Sequence, residues 1–241
     1  GILAAVKSGR ISQERLDESV RRILAWKSAV GLFDNRMTNI DAMDKIISGP
    51  ESLALSDEVA TKAITLVRND ANALPLDRSK KIVVLGLSNG FDGPDTMASF
   101  VSGLRSNGLR FSPYYLQENS LAEETAAARA AAANADIIVV GLYGRVRSGA
   151  KNSVGVPENG TAIIRELLAG GKQVVGISFG NPYVLGSFPE MKTYVVAYGD
   201  MSSLQRAAAR SVLGLQPITG RLPISLPGLY PRGTGIQVSA R

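Results

Sequence analysis

The 241-residue chain contains no cysteine and no histidine. The first absence removes disulfides, thiolate metal sites and thiol nucleophiles together. It carries no information on compartment, because a chain of this length buries roughly 70–75% of its unfolded surface and needs no staple. The second absence excludes more. Without an imidazole there is no Ser-His or Cys-His nucleophilic pair and no ordinary zinc site. The commonest general base at neutral pH is missing as well, so proton transfer within this chain falls to Asp, Glu, Lys or Tyr. No apolar run approaches the ~18 residues of a membrane span, and none is expected. Tryptophan occurs once, at Trp26, and reads as a packing anchor rather than a ligand platform.

What is present fits a globular protein: 45% hydrophobic and 20% charged residues. The net charge of +6 is concentrated late, where Lys192, Arg206, Arg210, Arg221, Arg232 and Arg241 face Asp200 alone. These cations are spread out, without interleaved aromatics or a nucleic-acid motif. They read as a solvated or domain-packing surface, and no nucleic-acid partner is expected. Gly1 opens directly into I-L-A-A-V-K-S-G-R, with neither an initiator nor a signal-peptide layout. The chain is therefore expected to be an excised piece.

The rhythm changes between Ala63 and Gly86. Before this stretch the pattern is helical. Ile2 to Lys7 ends one helix at Ser8-Gly9, and Ser12 caps a longer one to about Val30, stopped by Gly31. Leu16, Val20, Ile23, Leu24 and Val30 form its apolar face, with Asp17–Arg21 and Glu18–Arg22 as i,i+4 pairs opposite. A short helix follows Asn39, and Pro50 opens another in which Leu55, Val59 and Ala63 share a face. Asn69-Asp70-Ala71-Asn72 and Pro75 then supply turn chemistry. Beyond them, Ile82–Leu85, Ile137–Val140, Val174–Ile177 and Tyr194–Ala197 are continuous apolar runs, with Arg110–Leu116 a weaker fifth. Such runs are strands covered on both faces.

Helices alternate with them: an Ala-rich one to about Ala133 behind a Ser120/Glu123 capping box, Asn159–Ala169 after Pro157, and one from a Ser202/Gln205 box to Gly214. This order predicts an α/β fold, a three-layer sandwich with a mostly parallel sheet, preceded by a helical interdomain linker. The expected division is 1–62 and 63–241.

Two segments, Gly86-Leu87-Ser88-Asn89-Gly90 and Gly176-Ile177-Ser178-Phe179-Gly180, match the G-x-S-x-G nucleophile elbow. Lacking histidine, they read as tight turns. Gly86 to Gly93 has neither dinucleotide nor P-loop spacing, and the sequon Asn159-Gly160-Thr161 reads as helix capping. Ligands of parallel sheets bind where the strands end. The loops there are Ser88–Gly93, Tyr143–Val156, Gly180–Pro182 and Gly199–Met201. Tyr143, Arg145, Arg147 and Lys151 make the second loop basic. It fits an acidic patch on a neighbouring domain, or an anionic sugar substituent.

Longer motifs carry a resemblance. Thr65–Leu76, T-L-V-R-N-D-A-N-A-L-P-L, resembles the segment opening the second domain of family 3 glycoside hydrolases. Ala135–Val140, Gly180-Asn181-Pro182-Tyr183 and Ile218–Pro231 follow in the family's order. In the last of these, G-R-L-P and P-G-L-Y-P resemble the β-N-acetylglucosaminidase branch. Lys7–Leu24 is similar to the last barrel helix and linker.

The resemblance implies an accessory (α/β) sandwich following a TIM-like barrel that holds an aspartate nucleophile. In the glucosidase branch the second domain lends a glutamate acid/base from the loop before Val156-Pro157-Glu158. Here no carboxylate lies between Asp136 and Glu158. In the N-acetylglucosaminidase branch a histidine on the barrel donates the proton instead. A retaining glycosidase needs a nucleophile and a proton donor close together across the bond, and neither is expected in this chain.

The expected whole is a bacterial enzyme that removes terminal β-linked N-acetylglucosamine from cell-wall or chitin-derived glycans with retention. No metal or cofactor is expected. The partner of this chain would be its own N-terminal barrel, and the chain alone would be inert. Tyr143, Arg145, Arg147, Lys151, Asn181 and Asp200 are the candidates to face substrate or barrel. Glu158 is catalytic only if the enzyme is a β-glucosidase or xylosidase. A non-catalytic binding or scaffold module and a flavodoxin-like nucleotide binder are the remaining alternatives.

Overall fold

The structure, a computed structural model, describes residues 1–148 and 154–241. By compactness the chain divides into Gly1–Ser52 and Leu53–Arg241. The first unit holds α1 (Ile2–Lys7), α2 (Gln13–Ala29) and α3 (Met43–Ile46). Ser12 caps α2 by accepting a hydrogen bond from the Arg15 amide at 3.2 Å, and Gly31 follows the helix at φ 72°. Glu18 pairs with Arg22. Asp17 accepts instead from the Gln13 side chain at 2.7 Å, a neutral partner one turn earlier. The apolar face of α2 is turned to solvent, with Val20, Ile23 and Leu24 at 45%, 55% and 44% exposure. Trp26 is 74% exposed rather than a buried packing anchor.

The second unit begins within α4 (Pro50–Ala63) and continues as β1 (Thr65–Asn69), β2 (Ile82–Ser88), α5 (Ala98–Ser106), β3 (Phe111–Leu116), α6 (Ala122–Ala133), β4 (Ile137–Tyr143), α7 (Glu158–Ala169), β5 (Gln173–Ser178), β6 (Thr193–Val196) and α8 (Ser202–Val212). The six strands lie in the order β1-β6-β5-β4-β2-β3. β2 to β6 are parallel, and β1 runs antiparallel along β6. The junction stretch thus supplies an edge strand as well as a turn. The C-terminal tail covers the outer edge of β1: Ile236 donates its amide to Leu66 at 2.8 Å, and Gly220 donates to Ile64 at 3.1 Å. Covering an edge in this way removes a template for unwanted strand pairing.

Side chains alternate across the sheet and build one core on each face. On one face Ile82, Val84, Ile137, Val139, Val175 and Ile177 pack with Phe100 and Leu104 of α5 and Ala207, Ala208 and Val212 of α8. On the other, Val83, Leu85, Ile138, Val140 and Val196 pack with Ala128 and Ala132 of α6 and Ile163, Ile164 and Leu167 of α7. Helices on both sides of a central sheet make the expected three layers.

Three local expectations are corrected. In α4 the buried residue is Ala60, whereas Leu55 and Val59 are 61% and 57% exposed. The helix meets α8 through polar groups: Ser56 with Ser203 at 3.0 Å, Asp57 with Arg206 at 2.8 Å, and Arg210 donating to Thr61 at 3.3 Å. The α6 box is reduced to one half and moved by one residue: Glu124 accepts from the Leu121 amide at 2.8 Å, the N-cap Leu121 has no side-chain acceptor to return the bond, and Ser120 accepts from the Gln117 amide. Gln205 does not cap its own helix but the first turn of α5. It is buried, accepts from the Phe100 amide at 2.9 Å, and donates to the carbonyls of Thr96 (2.9 Å) and Asp200 (2.6 Å). Buried backbone groups demand partners, and a side-chain amide can serve donor and acceptor together.

Candidate functional site

Strand order reverses direction between β2 and β4. From β2 the chain turns outward to β3, and from β4 it turns the other way to β5. The loops leaving these two strands therefore part, and in open α/β sheets such a crevice is where ligands bind. Here protein groups fill it. The Asn89 side chain accepts from the Arg145 amide at 2.9 Å and donates to the Arg145 carbonyl at 2.8 Å, clasping the two loops. The Arg145 guanidinium pairs with Asp92 from the β2 loop and with Asp200 from the β6 loop. Its Nε and Nη2 both reach Asp200 Oδ2, at 2.8 and 2.6 Å. The hydrogen bond to Asp200 comes first among the influences that hold Arg145 above even the usual guanidinium range. One cation thus ties together loops 53 and 55 residues apart in sequence.

Arg147 lies 4.5 Å over the ring of Phe91 and donates to the Asn89 carbonyl. Lys151 falls outside the described residues. Asn181 accepts from the Tyr183 amide at 3.0 Å, opening a 3₁₀ turn over Pro182–Ser187, and its amide donates to the Val154 carbonyl at 3.4 Å. Glu158 is the first residue of α7 and is exposed, where a carboxylate suits the positive end of a helix.

Tyr143 does not face solvent. It is 1% exposed, stacked on Phe179 with ring centroids 4.7 Å apart, and laid over Gly141. A Cβ at position 141 would come within 2.8 Å of the ring. Burial, reinforced by the Asp200 carboxylate and by Tyr115, holds the Tyr143 hydroxyl well above the ordinary phenol range. The elbow serines are buried turn hydroxyls: Ser88 accepts from the Gly90 amide at 3.0 Å, and Ser178 donates to the Asn181 carbonyl at 3.0 Å.

The basic loop therefore spends Arg145 inside the domain, on Asp200, a candidate from the sequence, and on Asn89 and Asp92, which were not. Asn89, Phe91 and Asp92 lie in Ser88–Gly93, a strand-end loop also weighed as a nucleophile elbow and a phosphate loop, and none of the three was a site candidate. The available signal was that Asp92 is the sole carboxylate between Ser79 and Pro94, near strand ends shared with a cationic loop. A further property belongs to this edge. The loops leaving β2 to β6 present Phe91, Leu121, Val146, Tyr183 and Met201, each between 48% and 78% exposed.

A family model, the glycosyl hydrolase family 3 C-terminal domain, matches residues 64–232. The chain belongs to this family. Among family 3 relatives, the β-N-acetylglucosaminidase/β-glucosidase of Cellulomonas fimi is 29% identical over 242 residues, covering 92% of this chain and 40% of that protein. The structure of a family 3 β-N-acetylglucosaminidase from Paenibacillus sp. FPU-7 superposes with a TM-score of 0.74 at 27% identity, over 93% of this chain and 42% of that one. A β-glucosidase from Listeria innocua shares the fold at 22% identity, with a TM-score of 0.69 over 94% of this chain and 34% of its own. The chain spans about two fifths of the length of the first two.

Proposed function

We propose that this family 3 domain is the non-catalytic second domain of a retaining β-N-acetylglucosaminidase, one acting on terminal β-linked N-acetylglucosamine in cell-wall or chitin-derived glycans. Its C-terminal sheet edge is the face offered to the barrel and to the substrate entrance, with Arg145, Arg147, Asn181 and Asp200 shaping that face. The observation that carries the reading is chemical. Between Asp136 and Glu158 the chain has no carboxylate, so the loop after β4 brings cations where a glucosidase-type domain would bring an acid. Proton donor and nucleophile must then both come from the barrel. The Paenibacillus enzyme and the Cellulomonas protein, whose name includes this activity, support the substrate class.

The double name of the Cellulomonas protein favours one second reading, a glucosidase activity with Glu158 as acid. Full-length protein should cleave aryl β-N-acetylglucosaminide and be unaffected by Glu158→Gln. Preference for the aryl glucoside, lost in Glu158→Gln, would hand the assignment to the second reading.

A further inference from the structure

Three tyrosines lie on glycines of the sheet, one on one face and two on the other. On the α6/α7 face Tyr194 covers Gly176, its ring 3.1 Å from where a Cβ would sit, and its hydroxyl donates to the Pro182 carbonyl at 3.2 Å. On the α5/α8 face Tyr143 covers Gly141 and is as deeply buried. Its hydroxyl has no hydrogen-bond partner among the described residues. Beside it, Tyr115 lies on Gly86 at 3.3 Å. Gly86 and Gly141 are register partners on adjacent strands, about 4.8 Å apart.

The Tyr115 hydroxyl is also buried without a protein partner, and so is Thr96 Oγ1. Thr96 belongs to the turn Pro94–Met97 that covers Gly86 through Met97. Gln205 ties this turn to the bridge above it, since its side-chain amide donates to the carbonyls of both Thr96 and Asp200. Burial first, then the nearby Asp200 carboxylate and Tyr115, raise the Tyr143 hydroxyl. Native folds rarely leave a buried hydroxyl unpaired. Of the three here, two lie on one pair of register-partner glycines and the third belongs to the turn that covers one of these, an arrangement that calls for a shared polar guest. A phenol kept protonated by burial offers it both a donor and an acceptor.

We propose that Tyr143, Tyr115 and Thr96 line an internal hydration site, in which ordered water links the three hydroxyls beneath the Asp92–Arg145–Asp200 bridge. Tyr143 is then a positioning residue: it reaches Asp200 through water and steadies the carboxylate that grips Arg145. The inference is independent of which sugar the parent enzyme cleaves.

The test uses the intact protein. A crystal structure at about 1.5 Å resolution should show water within hydrogen-bond distance of at least two of the three hydroxyl oxygens. A dry cluster overturns the proposal. In solution, Tyr143→Phe and Tyr115→Phe should each lower Tm by about 2–4 °C, with the double variant losing less than the sum. Tyr143→Phe combined with Arg145→Met should be non-additive in the same sense. An unchanged or raised Tm for Tyr143→Phe, or strict additivity in both pairs, overturns it. So does a Tm that rises with sodium or potassium chloride but not with choline chloride, which would make the guest an alkali cation.

Discussion

The two edges of the sheet are built from the same strands and differ in almost everything else. At the edge where strands end, loops are knotted together by Asn89 and Arg145, and each presents an exposed apolar side chain. Where strands begin, the connections are short. Leu109 is buried, Lys81 and Arg110 are exposed, and Lys172 reaches the Ala135 carbonyl at 3.1 Å. Among the described residues of those turns, no large apolar side chain is exposed. The contrast teaches that packing alone explains one edge and leaves the other over-specified. Cross-linked loops with apolar tips suit a surface that must hold its shape against a partner.

The largest expected effect at the cross-linked edge is steric. A Cβ at Gly180 would press into the backbone carbonyl of Gly144, which cannot swing aside. Gly180→Ala should destabilise the domain by about 3 kcal/mol, read by calorimetry of the intact protein. A neutral result would mean that these loops are free to part, and the contrast between edges would collapse.

Next is alkaline sensitivity. Tyr143 and Tyr194 are both raised by burial, so the folded state holds their protons more tightly than the unfolded chain. Their stabilising contribution is complete below the unfolded phenol value, near 10, and declines as pH rises past it. The slope is about 1.4 kcal/mol per pH unit for each tyrosine. Chemical denaturation between pH 9 and 11.5 should show this loss, and Tyr194→Phe should flatten it.

Arg145→Met should be milder, about 1 kcal/mol, because the bridge is partly exposed to solvent. The difference from wild type should shrink in 1 M salt. If the proposed function holds, the same variant lowers kcat/KM on aryl N-acetylglucosaminide. Smallest of all, Lys81→Gln at the opposite edge should change stability by less than about 0.5 kcal/mol and leave turnover unaltered. Equal kinetic losses from Arg145→Met and Lys81→Gln would erase the distinction between the edges.

Much of the fold was legible because its signals are local. The runs at Ile82, Ile137 and Val174 are apolar on both faces, and Pro157 and Gly170 bound the helix between β4 and β5 as their backbone chemistry requires. Legibility faded where two segments compete for one group. Ser202 and Gln205 had the spacing of a cap, but the buried Phe100 amide claimed Gln205. Leu55 and Val59 had the spacing of a shared apolar face, yet α4 docks through Ala60 together with Ser56, Asp57 and Thr61. The candidate site was half legible. Its location followed from the strands, and its cations from the loop after β4, while Asp92 and Asn89 went unnoticed.

By itself the sequence determined the layer architecture, the family, and the chemistry this chain lacks, since composition, period and motif are properties of the chain in one dimension. Only the tertiary structure decided that Tyr143 turns inward over Gly141 and that Arg145 is held by Asp92 and Asp200. Those outcomes depend on strand order and register, which bring together loops more than fifty residues apart. No local pattern encodes the meeting of side chains that only a folded sheet makes neighbours.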